Sequence, residues 1–160
     1  MIEADILKIG NRKDVLKSIN FDFEEFKTLS NGTTVFPGEV KPINTYGDEI
    51  ISYNYKPISS NSILIINTTI SVSSSSGTNL ISAAVFINDE VYSLGAMPSY
   101  QAFAAGAEII TFDSKFINQS LDEVNIKVRM GGRNASSTVT FNKYFAGDTA
   151  STIMIEEFKI

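Results

Sequence analysis

The sequence predicts an all-β fold: an antiparallel eight-stranded jelly-roll sandwich preceded by a short N-terminal attachment segment. Three observations predict it. After residue 48 the chain is a succession of strand-length runs rich in Ile, Val, Thr and Ser. Gly, Asn, Asp and Pro turn residues separate these runs, with no helical period between them. Several connections are short, and short connections join antiparallel neighbours. Eight such strands around one core make a double-sheet jelly roll, with an immunoglobulin-like sandwich as the second reading. A chain without Cys or Trp has no Cys…Trp…Cys pattern to favour the latter.

The elements follow in chain order. Residues 1–48 are expected to be an attachment and connector segment, and residues 49–160 the sandwich head. In Arg12–Ser30, Val15, Ile19, Phe23 and Phe26 fall at helical spacing. The same stretch also alternates, with Ile19, Phe21 and Phe23 on one side and Asn20, Asp22 and Glu24 on the other. The first pattern reads as a short helix followed by a strand, the second as a strand throughout. Asn31-Gly32 and Pro37-Gly38 are turn signals. Pro37, Pro42 and Pro57 mark an extended connector with a fixed path, because each ring fixes φ and removes a backbone donor.

The first run of the head is Ile50–Tyr55. Ser62–Val72 follows, and its apolar centre Ile63–Ile66 suits a strand covered on both faces. Either its own domain or another subunit supplies the second cover. Ser73–Gly77 reads as a polar loop. Leu80–Ile87 turns at Asn88-Asp89 into Glu90–Leu94, a hairpin. A long loop, Gly95–Gly106, precedes Ala107–Phe116. Glu123–Met130 alternates cleanly, with Val124, Ile126, Val128 and Met130 on one side. Gly131-Gly132-Arg133-Asn134 is a tight turn into Ser136–Tyr144. Gly147-Asp148 is the last turn before the closing strand Ser151–Phe158.

Composition narrows the chemistry. The chain has 160 residues, no His and no Cys. Disulfide scaffolds, thiolate zinc sites, Cys nucleophiles and His bases or ligands are thereby excluded. Thirteen basic against 18 acidic residues give a net charge of −5, the wrong sign for displacing counterions from nucleic acid. No apolar run is long enough to span a bilayer, and Met1–Gly10 mixes charge into its apolar residues, unlike a signal peptide. No nucleic-acid partner, no membrane insertion and no cofactor are expected. The four Asn-x-Ser/Thr sequons, at Asn31, Asn67, Asn118 and Asn134, read as by-products of composition.

Adjacent carboxylates occur at Glu24-Glu25, Asp48-Glu49, Asp89-Glu90, Asp122-Glu123 and Glu156-Glu157. Glycoside hydrolysis needs two carboxyl groups on one substrate, but neighbours on a strand point to opposite faces. No catalytic residue is therefore assigned and the chain is read as a non-enzyme. No D-x-D-x-D-G loop is present to ligate Ca²⁺, and no metal site is assigned. Gly131-Gly132-Arg133 lacks the following helix that a phosphate cradle uses. The long loop is the richest stretch. Met97, Tyr100 and Phe103 lie there among small residues, suited to stacking on sugar faces, to a subunit interface, or to closing the end of the sandwich. With Arg133 they are the candidate contact residues.

The order and spacing of these runs resemble a known group. Ile50-Ile51-Ser52-Tyr53-Asn54-Tyr55-Lys56-Pro57, then Ser59-Ser60-Asn61-Ser62-Ile63-Leu64-Ile65-Ile66, resembles an I-x-P-x-S-x-S-S-K-I-L-V opening. That opening is common in C-terminal domains of tail fibres and related surface proteins of tailed bacteriophages. Ala83–Asp89, Val124–Met130, Ser137–Phe141 and the terminal Ser151-Thr152-Ile153-Met154-Ile155-Glu156-Glu157 follow in the family's order, where relatives end in S-T-I-T-L-M-E-I. The resemblance covers residues 49–160. It implies a trimeric jelly roll on a virion surface, assembled in the host cytoplasm and displayed as a fibre head, knob or capsid decoration. It also implies as partners other copies of itself, other virion proteins and a host surface glycan. Long shafts precede the domain in that family; the short segment here points to a knob, short fibre or decoration protein. Met1–Pro42 is then either the attachment to the particle or extra structure packed on the head.

Overall fold

The structure, a computed structural model, describes residues 18–26, 30–77, 79–142 and 150–160. Ten strands lie in them: β1 (Ser18–Phe26), β2 (Ser30–Gly32), β3 (Asp48–Tyr55), β4 (Ser62–Ser74), β5 (Asn79–Ile87), β6 (Gly95–Gln101), β7 (Glu108–Asn118), β8 (Val124–Gly132), β9 (Val139–Phe141) and β10 (Ser151–Lys159). β1 pairs with β10, β2 with β9, β3 with β8, β4 with β7 and β5 with β6, every pair antiparallel. The chain is thus one long antiparallel ribbon, turned between β5 and β6 and then rolled up. β10 against β4 and β5 against β8 close the roll. One sheet runs β1-β10-β4-β7, with the short β9 and β2 continuing beyond β10 along β4; the other runs β3-β8-β5-β6. This winding is the jelly roll.

The core lies between the sheets. Leu64, Ile66 and Ile70 of β4 meet Ile81, Ala83 and Val85 of β5 and Ile126, Val128 and Met130 of β8. Each of these Leu, Ile, Val and Met side chains, fully withdrawn from water, contributes roughly 1.5–3 kcal/mol. Period-2 alternation gives β4 as far as Ile70, and β8 as far as Met130, one buried side each, as their sequences dictate. A second, smaller cluster sits outside the β8 sheet, where Phe36 and Tyr46 cover Ala84 and Phe86.

The connector before β3 earns its fixed path. Phe36 N donates to Gly132 O, Gly47 N to Val35 O, and the Arg129 guanidinium to the carbonyls of Tyr46 and Gly47. Farther along, Asn44 N donates to Val91 O and Ser93 N to Pro42 O. Gly131 permits this approach: a Cβ there would lie 2.4 Å from Thr34 O. The connector crosses the outside of the β8 sheet from one end to the other.

Several local expectations are corrected. Ile19, Phe23 and Phe26 lie on a strand, not on a helix, because eight backbone positions of β10 are available to pair with β1. Asn31-Gly32 belongs to β2 and not to a turn. The expected loop Gly95–Gly106 is strand as far as Gln101. Pro98, which cannot donate to a ladder, is tolerated because β6 is an edge strand. Glu90–Leu94 is connection, not strand. Gly131-Gly132 ends β8, and no hairpin with β9 follows, because β3 and β5 already occupy both edges of β8. β9 crosses to β4 and β2 instead. Val15 and the Gly147-Asp148 turn lie outside the described residues.

Candidate functional site

Three of the four candidate residues gather at one end of the β8 sheet. Tyr100 of β6 pairs with Leu80 of β5, and Leu80 O accepts the backbone N–H of Arg133 from the other side. Tyr100 and Arg133 therefore flank Leu80, about 10 Å apart at ordinary strand spacing. Met97 lies on β6 as well, opposite Ala83. Phe103 follows β6 in the loop that meets Gly77.

These aromatics do not close the end of the sandwich. Tyr100 is 61% exposed and Phe103 80%. Gln101, between them and 1% exposed, is the residue that enters the interior. Its Oε1 accepts from Ser74 N at 2.8 Å, and its Nε2 donates to Ser74 O at 3.1 Å and Phe103 O at 2.5 Å. Ala105 N adds a bond to Ser74 O. Asn79 extends the same network by donating to Ser74 Oγ and Ser137 Oγ. The backbone beside the aromatic rings is thus fixed while the rings stay in solvent.

A shallow cavity of about 190 Å³ opens beside them, between the connector and β6. Pro37, Pro42, Pro98, Val40 and Met97 form its apolar walls. Ser82, buried beneath, also lines it, and its Oγ has no hydrogen-bond partner among the described residues. Arg133 is held at one edge by an ion pair with Glu39 of the connector, N–O 2.5 Å. Gln101, Ser82 and Glu39 carried no signal in the sequence, since only the rolled ribbon brings Ser74 to Gln101, Ser82 to Pro98 and Glu39 to Arg133. The Pro37–Pro42 cluster was the one local sign of a fixed wall.

The carboxylates are occupied in other ways. Asp48 accepts from Thr34 N and Oγ1, Asp122 from Ser120 Oγ, and Asp89 from Lys127 Nζ. Glu157 is fully buried and accepts four bonds: from Tyr55 Oη, Ile58 N, Ser59 N and Ser62 Oγ, at 2.7–3.0 Å. Burial by itself raises its pKa, but these four donors outweigh burial and hold the carboxyl below its ordinary range. Its own burial and the carboxylate beside it push Tyr55 far above the ordinary tyrosine value, while the donor from Asn20 acts the other way. Among the described residues no three acidic side chains converge as a metal site requires.

No protein-family model matches the sequence, and no curated protein matches it. Solved structures are similar to it at low scores. The CBM36-1 domain of a multidomain xylanase from the hindgut metagenome of Trinervitermes trinervoides has a TM-score of 0.44 at 13% identity, over 85% of this chain and 96% of that one. A chain of infectious bursal disease virus, Gt strain, has a TM-score of 0.45 at 12% identity, over 97% of this chain and 42% of that one. The present chain thus spans less than half of the viral one. A carbohydrate-binding module CBM36, in complex with calcium and xylotriose, has a TM-score of 0.37 at 13% identity, over 81% and 98%. At these scores the jelly-roll assignment stands on the sheet orders themselves.

Proposed function

We propose that this protein is a structural protein of a bacteriophage virion surface, such as a short tail fibre, knob or capsid decoration, that presents the jelly roll outward and acts by binding rather than catalysis. The observation that carries the reading is the pairing of exposed Tyr100 and Phe103 with a backbone locked by buried Gln101. A rigid scaffold that holds aromatic rings in water spends little entropy when a partner covers them. The resemblance of the strand-run order to that of phage surface proteins supports the virion setting. The buried Glu157, committed to four donors, supports a non-catalytic role for the best-shielded carboxylate.

A second reading, a receptor- or carbohydrate-binding module, is favoured by the cavity beside Met97, where the unpartnered Ser82 hydroxyl lies under apolar walls. Both readings are tested together. Purified particles probed by mass spectrometry are expected to contain the chain, and its absence from them removes the virion reading. Tyr100→Ala and Phe103→Ala are expected to abolish binding to host cells or surface polysaccharide, with stability within about 0.5 kcal/mol of the parent. Unchanged binding in both variants removes the β6 edge as the contact surface.

A further inference from the structure

We propose that the outer face of the β4 sheet is a contact surface between two copies of this chain, related by a two-fold axis running along β4. The face is defined by register, because antiparallel partners share one side of a sheet. Phe158, Ile63 and Ile117 form one row across β10, β4 and β7. Phe21, Glu156, Ile65 and Lys115 form the next, beginning at β1. The intervening Leu64, Ile66 and Ile155 point into the core.

β1 is inverted relative to an ordinary surface strand. Two of its polar residues face inward: Asn20 donates to Tyr55 Oη, and Asp22 accepts from Tyr53 Oη. Phe21 and Phe23 are left outward, 58% and 48% exposed, and Ile117 at the opposite edge is 56% exposed. Phe158, Ile63, Ile65 and Ile117 are the apolar residues on the β10, β4 and β7 part of this face, and Phe21 and Phe23 lie one strand outside it. Exposed apolar side chains on a sheet face suit an interaction site.

The charges identify the occupant. Glu156 and Lys115 flank Ile65 on opposite sides, separated by two strand spacings, about 10 Å. Neither belongs to an ion pair among the described residues. Turning one face onto another by 180° about β4 exchanges the β10 and β7 sides. Glu156 then meets the partner's Lys115, and Lys115 the partner's Glu156. Phe158 meets the partner's Ile117, while Ile63 and Ile65 meet their own copies on the axis. This is the reciprocal pattern of an isologous contact. The next row is Met154, Asn67 and Asp113, with Asn67 donating to Asp113, and Thr69, Thr111 and Thr152 supply a polar rim beyond it. A three-fold assembly, which the phage resemblance implies, joins two unlike patches and gives the Glu156–Lys115 exchange no part, so the two-fold contact is proposed in its place. The inference rests on the β4 sheet alone, so it stands or falls independently of the β6 edge.

Sedimentation of the full chain tests it. The parent is expected at twice the 17.5 kDa chain mass. Lys115→Glu and Glu156→Lys each place like charges together twice and are expected to weaken pairing about tenfold or more. Combining them restores opposite charges and is expected to return pairing to near the parent level. Ile117→Asp, at a side chain already in solvent, is expected to give monomer with unchanged circular dichroism. A parent that stays monomeric at about 100 µM, a mass of three chains, a double variant no better paired than the singles, or a paired Ile117→Asp overturns the proposal.

Discussion

The two sheets of the sandwich both carry apolar residues on their outer faces, and the protein treats them differently. Outside the β8 sheet, Ala84 and Phe86 are buried beneath Phe36 and Tyr46 of the connector. Outside the β4 sheet, Phe21, Phe23 and Ile117 stand in solvent. Both faces arise from the same sequence habit, β-branched and aromatic residues at positions that alternation sends outward. Whether such a face is core or contact surface depends on whether another part of the chain reaches it. Among the described residues only the connector does so, because its prolines and its bonds to β8 hold it across one face.

The largest expected effect tests the covered side. Phe36→Ala removes a fully buried ring and should cost about 3–5 kcal/mol in urea unfolding. Phe23→Ala on the open side should change monomer stability by less than about 0.5 kcal/mol. Equal losses in the two variants would break the contrast between the faces.

Next in size is Glu157, which ties β10 to β3 and to the turn before β4. Glu157→Gln replaces an ionised acceptor and should cost roughly 2 kcal/mol. The folded state keeps this carboxyl ionised to lower pH than the unfolded chain, where its pKa is about 4.3. In acid the unfolded state therefore binds more protons, and stability falls as pH drops below the ordinary glutamate range. The variant should lose that share of the acid dependence below about pH 4.3, read by thermal unfolding. An identical acid limb in the variant would remove Glu157 as its source.

The smallest effect concerns which side of β1 faces out. Burial, then the hydrogen bond and charge of Asp22, then Glu24, push Tyr53 up to about 12. A raised phenol pKa favours the folded state below the unfolded value near 10, and that stability is lost as pH climbs from 10 towards 12. Tyr53→Phe should cost about 1 kcal/mol at neutral pH and flatten this alkaline loss. If the alkaline limb stays as steep in the variant, Tyr53 does not secure the inward side of β1.

Legibility in the sequence followed the range of the interaction. β3, β4, β5, β8 and β10 were readable because their alternation or apolar runs are local and their turns carry Gly, Asn or Pro. β6 was not, since Gly95–Gln101 lacks β-branched residues and is a strand only because β5 offers it an edge. At the candidate site, Met97, Tyr100 and Phe103 stood out as aromatic and apolar residues among small ones. Gln101 between them did not, because its role depends on Ser74, which is distant in sequence.

The sequence by itself determined the class of the protein: an all-β head after residue 48, and a chemistry without thiols or imidazoles. Period and composition are properties of neighbouring residues, and they need no fold to be read. The tertiary structure decided which side of each alternating strand faces the core, because that depends on the partner strand and on what covers it. For β1 it chose the polar side inward, since Tyr53 and Tyr55 of the opposite sheet provide partners there for Asp22 and Asn20. That choice left Phe21 and Phe23 outside.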